Sequence, residues 1–131
     1  IIKELTDAGF EVSEVPDGRT KGKTAEFGKK YDAVLMWADV SRFASCNTIR
    51  LQWPSPMSSV YPWYVHETPV VFISLNLANH LIDVPRVPVY INAYNNRPST
   101  IHTVIQKMMG NSDFKGSFDE TVWCGTWDTR F

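Results

Sequence analysis

The chain has 131 residues, 44% of them hydrophobic and 21% charged, with 13 basic and 14 acidic side chains that leave a formal net charge of -1. That length supports one core and not two, and the composition is too apolar for a disordered tail. Charges spread so evenly give no basic field for nucleic acid or an anionic membrane. The strongest apolar run, residues 69–75, is also far below the roughly 20 residues that a membrane-spanning helix requires.

The sequence opens with Ile1, Leu5 and Ala8 on one helical face, and Gly9 follows where a left-handed residue closes a helix. Residues 10–15 alternate apolar and polar side chains, predicting a half-exposed strand, and Pro16, Asp17 and Gly18 supply the turn after it. A helix followed by a strand is the second half of a βαβ unit. A preceding strand is therefore expected, so the chain is read as starting partway through its fold.

Residues 32–38 are almost continuously apolar, the pattern of a parallel strand covered on both faces. Residues 48–53 alternate up to Pro54 and read as a short strand or an extended loop. A second buried strand is expected over residues 70–75, a short helical turn over 77–82 and a third strand over 89–94. Beyond it, Pro98 suits a first helical turn. Ile101, Val104, Ile105 and Met108 keep the i, i+3, i+4, i+7 spacing of a buried helical stripe, and Gly110 stops it. From residue 111 to 131 glycines and aromatics occur without periodicity, an irregular tail that should pack against something. The alternation of strands and helices predicts a single α/β domain over 1–131. Its expected form is a three-layer αβα sandwich of flavodoxin or Rossmann type with a mostly parallel sheet and the first strand missing.

Little in the sequence announces chemistry. Cys46 and Cys124 lack any CxxC or HxxxH companion, so they read as unlinked thiols and no metal site is expected. No glycosylation sequon or secretory leader is visible, which inclines the expectation toward the cytoplasm over secretion. There is no Gly-x-Ser-x-Gly elbow for a nucleophile and no glycine-rich phosphate loop, so neither a catalytic residue nor a cofactor is assigned. Glycoside hydrolysis needs two carboxyl groups flanking the bond. Of the scattered acids only Asp39 and Asp83 follow a strand or sit in a strand-end loop, neither with an obvious partner.

Ligands of open α/β sheets collect at the carboxyl ends of strands. Asn76, Asn79 and His80 after the second buried strand, and Asn95, Asn96 and Arg97 after the third, are therefore the substrate-cleft or domain-interface candidates. The plainer role of these residue types is to cap helices and satisfy turns. His66 and His102 carry no further signal. Trp37, Trp53, Trp63, Trp123 and Trp127 suit either sugar stacking or core and interface anchoring.

Two stretches carry a specific resemblance: residues 69–85, in which Ser74 and Leu75 lead into His80, Leu81, Asp83 and Pro85, and residues 90–94, ending in Ala93 and Tyr94. Their order resembles the carboxy-terminal domain of two-domain β-N-acetylhexosaminidases in glycoside hydrolase family 3. The helix closed by Gly110, then Phe114, Lys115 and Gly116, and the closing Cys124 to Arg130 continue the match, from about residue 32 to the end. The resemblance implies a parent enzyme whose amino-terminal TIM barrel removes terminal N-acetylglucosamine with an aspartate nucleophile and a His-Asp acid/base pair. Both belong to that barrel, so this chain is expected to be a non-catalytic companion that packs beside the barrel and walls a cleft holding an N-acetylglucosamine saccharide. The alternative is a free-standing flavodoxin-like module. A receiver of that kind would use Asp39 as phosphate acceptor, yet the strand ending at Tyr94 offers no partner lysine.

Overall fold

A computed structural model describes residues 1–14, 28–40, 51, 67–84 and 86–118. Three strands, β1 (Val34–Ala38), β2 (Val70–Ser74) and β3 (Val89–Asn92), form a parallel sheet in the order β1-β2-β3. The register pairs Val34 with Val70 and Ala38 with Ser74 on one side, and Val71 with Val89 and Ser74 with Asn92 on the other. β2 is central and nearly all of it is buried, which is why it reads as an unbroken apolar run.

The two faces of the sheet have separate cores. On one, Ala38, Val70, Phe72, Val84 and Val87 pack together, with Leu81 from a 3-10 helix (Ala78–Asp83) and Tyr90 against them. The Phe72 and Tyr90 rings stack at 5.6 Å. On the other face, Ile73, Leu75, Ile91 and Ala93 meet Val104 of helix α2 (Pro98–Met108), and Ile1 joins from the head of helix α1 (Ile2–Asp7). Helical layers on both sides of a parallel sheet make this the α/β fold expected from the alternation of elements.

Both helices end on the same device. Gly9 and Gly110 hold φ of 93° and 76°, left-handed values that cost a residue with a Cβ. In α1 the Gly9 amide bonds to the Thr6 carbonyl and Phe10 to Leu5; in α2 Gly110 bonds to Lys107 and Asn111 to Gln106. These paired bonds satisfy the last carbonyls in a Schellman closure. The stripe in α2 is placed as its spacing predicts, with Val104 and Ile105 buried and His102 and Thr103 exposed.

Other expectations are corrected. Residues 10–14 carry no strand, and Phe10 is 49% exposed. Alternation only prepares a strand. Its N–H and C=O groups need a ladder partner, and among the described residues none runs beside this stretch. β3 stops at Asn92 instead of continuing to residue 94, because Tyr94 turns to a left-handed φ of 62°. The start of the tail, residues 111–118, is exposed throughout, with Lys107 lying over the Phe114 ring at 5.6 Å. The expected strand or loop over residues 48–53, apart from Leu51, and Cys46, Cys124, His66 and the other four tryptophans besides Trp37 lie outside the described residues.

Candidate functional site

Parallel pairing brings three strand ends to one rim. The ladder continues one step past the strands, with the Leu75 amide bonded to the Ala38 carbonyl at 2.9 Å and the Ala93 amide to the Ser74 carbonyl at 2.8 Å. The next residues of each loop, Asp39, Asn76 and Asn96, therefore emerge together. The Asn76 side-chain amide donates to Asp39 Oδ1. Asn96 Nδ2 donates to Asp39 Oδ2 at 3.0 Å, with a longer approach of 3.4 Å to Oδ1. A carboxylate that looked partnerless in the sequence is thus the hub joining the ends of all three strands.

Beside this hub lies an open cleft of about 350 Å³, walled by Trp37 and Asn96, by Ile1 and Lys3 at the head of α1, and by Ile101 of α2. Trp37 shares a sheet face with Leu35, but at the carboxyl end of β1 the helices leave it 41% exposed. Tyr94, 57% exposed, stands two residues before Asn96. Asn95 turns inward to the helix entry, where its Oδ1 accepts the Arg97 amide at 3.0 Å and the Thr100 hydroxyl at 2.6 Å. It acts as the capping group of α2, whose N-cap residue Arg97 makes no side-chain capping bond of its own.

A second polar group lies behind the rim. Ser74 and His80 are both fully buried, 2.7 Å apart between Oγ and Nδ1. The Ser74 hydroxyl donates its single proton to the Leu77 carbonyl, so Nδ1 of His80 carries the hydrogen and Ser74 accepts it. Tyr90 Oη donates to the Ala78 carbonyl at 3.2 Å, and burial pushes its phenol up to about 12. Asp83 Oδ2 accepts the Leu51 amide at 3.1 Å. The Ser-Leu and His-Leu-x-Asp signature therefore pins the connection between β2 and β3.

Of the six residues singled out in the sequence, Asn76 and Asn96 meet on Asp39, Asn95 caps α2, and His80 is sealed inside. Asn79 sits half-buried in the 3-10 helix and Arg97 is exposed at the start of α2; neither joins the Asp39 cluster. Sequence reasoning left out Trp37 as a rim residue, and Ile1 and Lys3 altogether. Trp37 was findable, since it lies just before Asp39 in a strand whose carboxyl end is a ligand position. His102, which carried no signal in the sequence, bonds Glu4 Oε2 at 2.7 Å and ties α2 to α1. Among the described residues no group of three His, Cys, Asp or Glu side chains converges to hold a metal, and no helix is long and apolar enough to cross a membrane.

No family model matches the chain. It is 35% identical, over 133 aligned positions and 98% of its own length, to a β-N-acetylglucosaminidase/β-glucosidase of Cellulomonas fimi, of which it spans 24%. Among solved structures, the β-glucoside phosphorylase BglX superposes with a TM-score of 0.74 at 32% identity, over 96% of this chain and 22% of that one. The same phosphorylase bound to 2FGlc superposes at 0.70 and 32% identity, over 86% and 20%. The chain thus spans about a quarter of the relatives it matches. The name of the Cellulomonas fimi relative joins N-acetylglucosamine with β-glucosides, and that of the solved structures gives β-glucosides.

Proposed function

We propose that the chain is a non-catalytic carboxy-terminal accessory domain of a family 3 enzyme that removes terminal N-acetylglucosamine, or acts on the related β-glucosides, and that it packs beside the catalytic barrel of that enzyme. The observation that carries this reading is similarity running along 98% of the chain to only 24% of a longer enzyme. The site chemistry agrees. The carboxylate at the rim, Asp39, is held by two asparagine amides and faces no second carboxyl group among the described residues, and the only paired serine and histidine among them are sealed from solvent. Neither arrangement offers the two facing carboxyl groups of a glycosidase or an accessible nucleophile with its base.

The purified chain should therefore fold yet leave chromogenic N-acetylglucosaminides and β-glucosides intact. Turnover that copurifies with the chain and survives removal of contaminants would overturn the accessory role. Within a longer enzyme carrying this domain, deleting the domain should lower activity, and a barrel fully active without it would count against a companion function.

A further inference from the structure

We propose that helix α1 is a movable wall of the rim cleft, latched onto α2 by the bond between Glu4 and His102, and that it undocks and returns as a unit while the sheet stays intact. α1 supplies one side of the cleft through Ile1, Ile2 and Lys3, and the sheet and α2 supply the rest, with Trp37, Leu75 and Ile101 among the lining residues.

The helix is well knit within itself. Lys3 pairs with Asp7 one turn on, the Thr6 hydroxyl donates to the Ile2 carbonyl at 3.1 Å, and the closure at Gly9 ties off the last turn. Its hold on the rest of the domain is thin by contrast. No residue of α1 is buried, whereas α2 seats Val104 and Ile105 in the core. The apolar stripe Ile1, Leu5 and Ala8 is only half-buried, and Ile1 at its head reaches the core cluster beneath α2. To this the Glu4–His102 bond is added. A carboxylate only accepts, so His102 Nδ1 carries the hydrogen and donates across 2.7 Å. The partners stand 98 residues apart in sequence, so the bond holds the two helices to each other and reinforces neither by itself. An element with many internal bonds and few external ones leaves in one step. Six residues are too few for a helix to persist alone in water, so undocking unwinds α1 and opens its amides to solvent. The cleft then loses a wall, and Trp37 is bared further.

The test is amide hydrogen exchange of the 131-residue chain, followed residue by residue by NMR. The amides of Leu5, Ala8 and Phe10, bonded to the carbonyls of Ile1, Glu4 and Leu5, should exchange at least about a hundredfold faster than those of Leu75 and Ala93 in the sheet. His102→Ala should speed the α1 amides by a further factor of about 2–5, the worth of one exposed pair. It should leave Leu75 and Ala93 unchanged and shift the Trp37 indole N–H. His102→Asn, whose side-chain amide stands where Nδ1 does, should restore the slower rate. Protection of α1 equal to that of the sheet overturns the independent movement. So does a His102→Ala effect of the same size at Leu75 and Ala93, which would make the pair part of global stability. Unchanged α1 exchange in His102→Ala, or no recovery in His102→Asn, removes the latch, and an unmoved Trp37 indole N–H removes the link to the cleft.

Discussion

Two polar groups start from the end of β2, two residues apart, and behave in opposite ways. Asn76 faces out to Asp39 and Asn96, all within reach of solvent, while Ser74 faces in to His80, and both of those are fully buried. The chemistry of the residues does not separate the two groups; a serine–histidine pair looks more catalytic on paper than an aspartate between two asparagines. Burial separates them. Inside, each hydrogen bond replaces a solvation that has been lost, so the network acts on stability. At the rim water can replace any partner, so the same kind of bonds add little to stability.

This contrast breaks if the inner group proves dispensable. His80→Ala should cost about 2–4 kcal/mol, the sum of a cavity and the lost buried bond to Ser74, whose hydroxyl still donates to the Leu77 carbonyl. Denaturant unfolding measures it, and a loss below about 0.5 kcal/mol would place His80 outside the folding network. Ser74→Ala should come next at about 1–3 kcal/mol, since it leaves the buried Nδ1 hydrogen of His80 without its acceptor.

Tyr90→Phe keeps the stacked ring and removes the hydroxyl that bonds Ala78, for about 1 kcal/mol. It also sharpens the contrast through pH. The buried phenol titrates at about 12 against 10 when unfolded, so below pH 10 both states hold the proton and nothing changes. Between 10 and 12 the unfolded chain loses its proton first, and stability falls as pH rises. That alkaline loss should be smaller in Tyr90→Phe, and an unchanged limb would mean the phenol is not held neutral by burial.

Where local pattern and final environment agree, the sequence was readable: the i, i+3, i+4, i+7 stripe of α2, the continuous apolar run of β2 and the closing glycines Gly9 and Gly110 all stand where spacing put them. Residues 10–14 show the limit, because a strand depends on a neighbour that alternation cannot supply. The site was half legible for a related reason. Asparagines at strand ends mark the rim, but whether a side chain turns toward it depends on loop geometry: Asn76 and Asn96 reach Asp39, Asn95 turns back to cap its helix, and His80 is drawn inside by Ser74. No residue type among these announces the difference, and the aspartate that organises the rim gains its partners from loops 37 and 57 residues away.

The smallest expected effect is the most discriminating. Asp39→Ala removes the hub of the rim, yet its three members sit where water can take over each bond, so unfolding free energy should move by no more than about 0.5 kcal/mol. The change should be local instead. Side-chain amide resonances of Asn76 and Asn96 should shift and exchange faster with solvent, while the backbone amides of Leu75 and Ala93, bonded to Ala38 and Ser74, keep their protection. A stability loss as large as that of Ser74→Ala would show that the rim is part of the scaffold, and the distinction between an inner network that holds the fold and an outer one that does not would collapse.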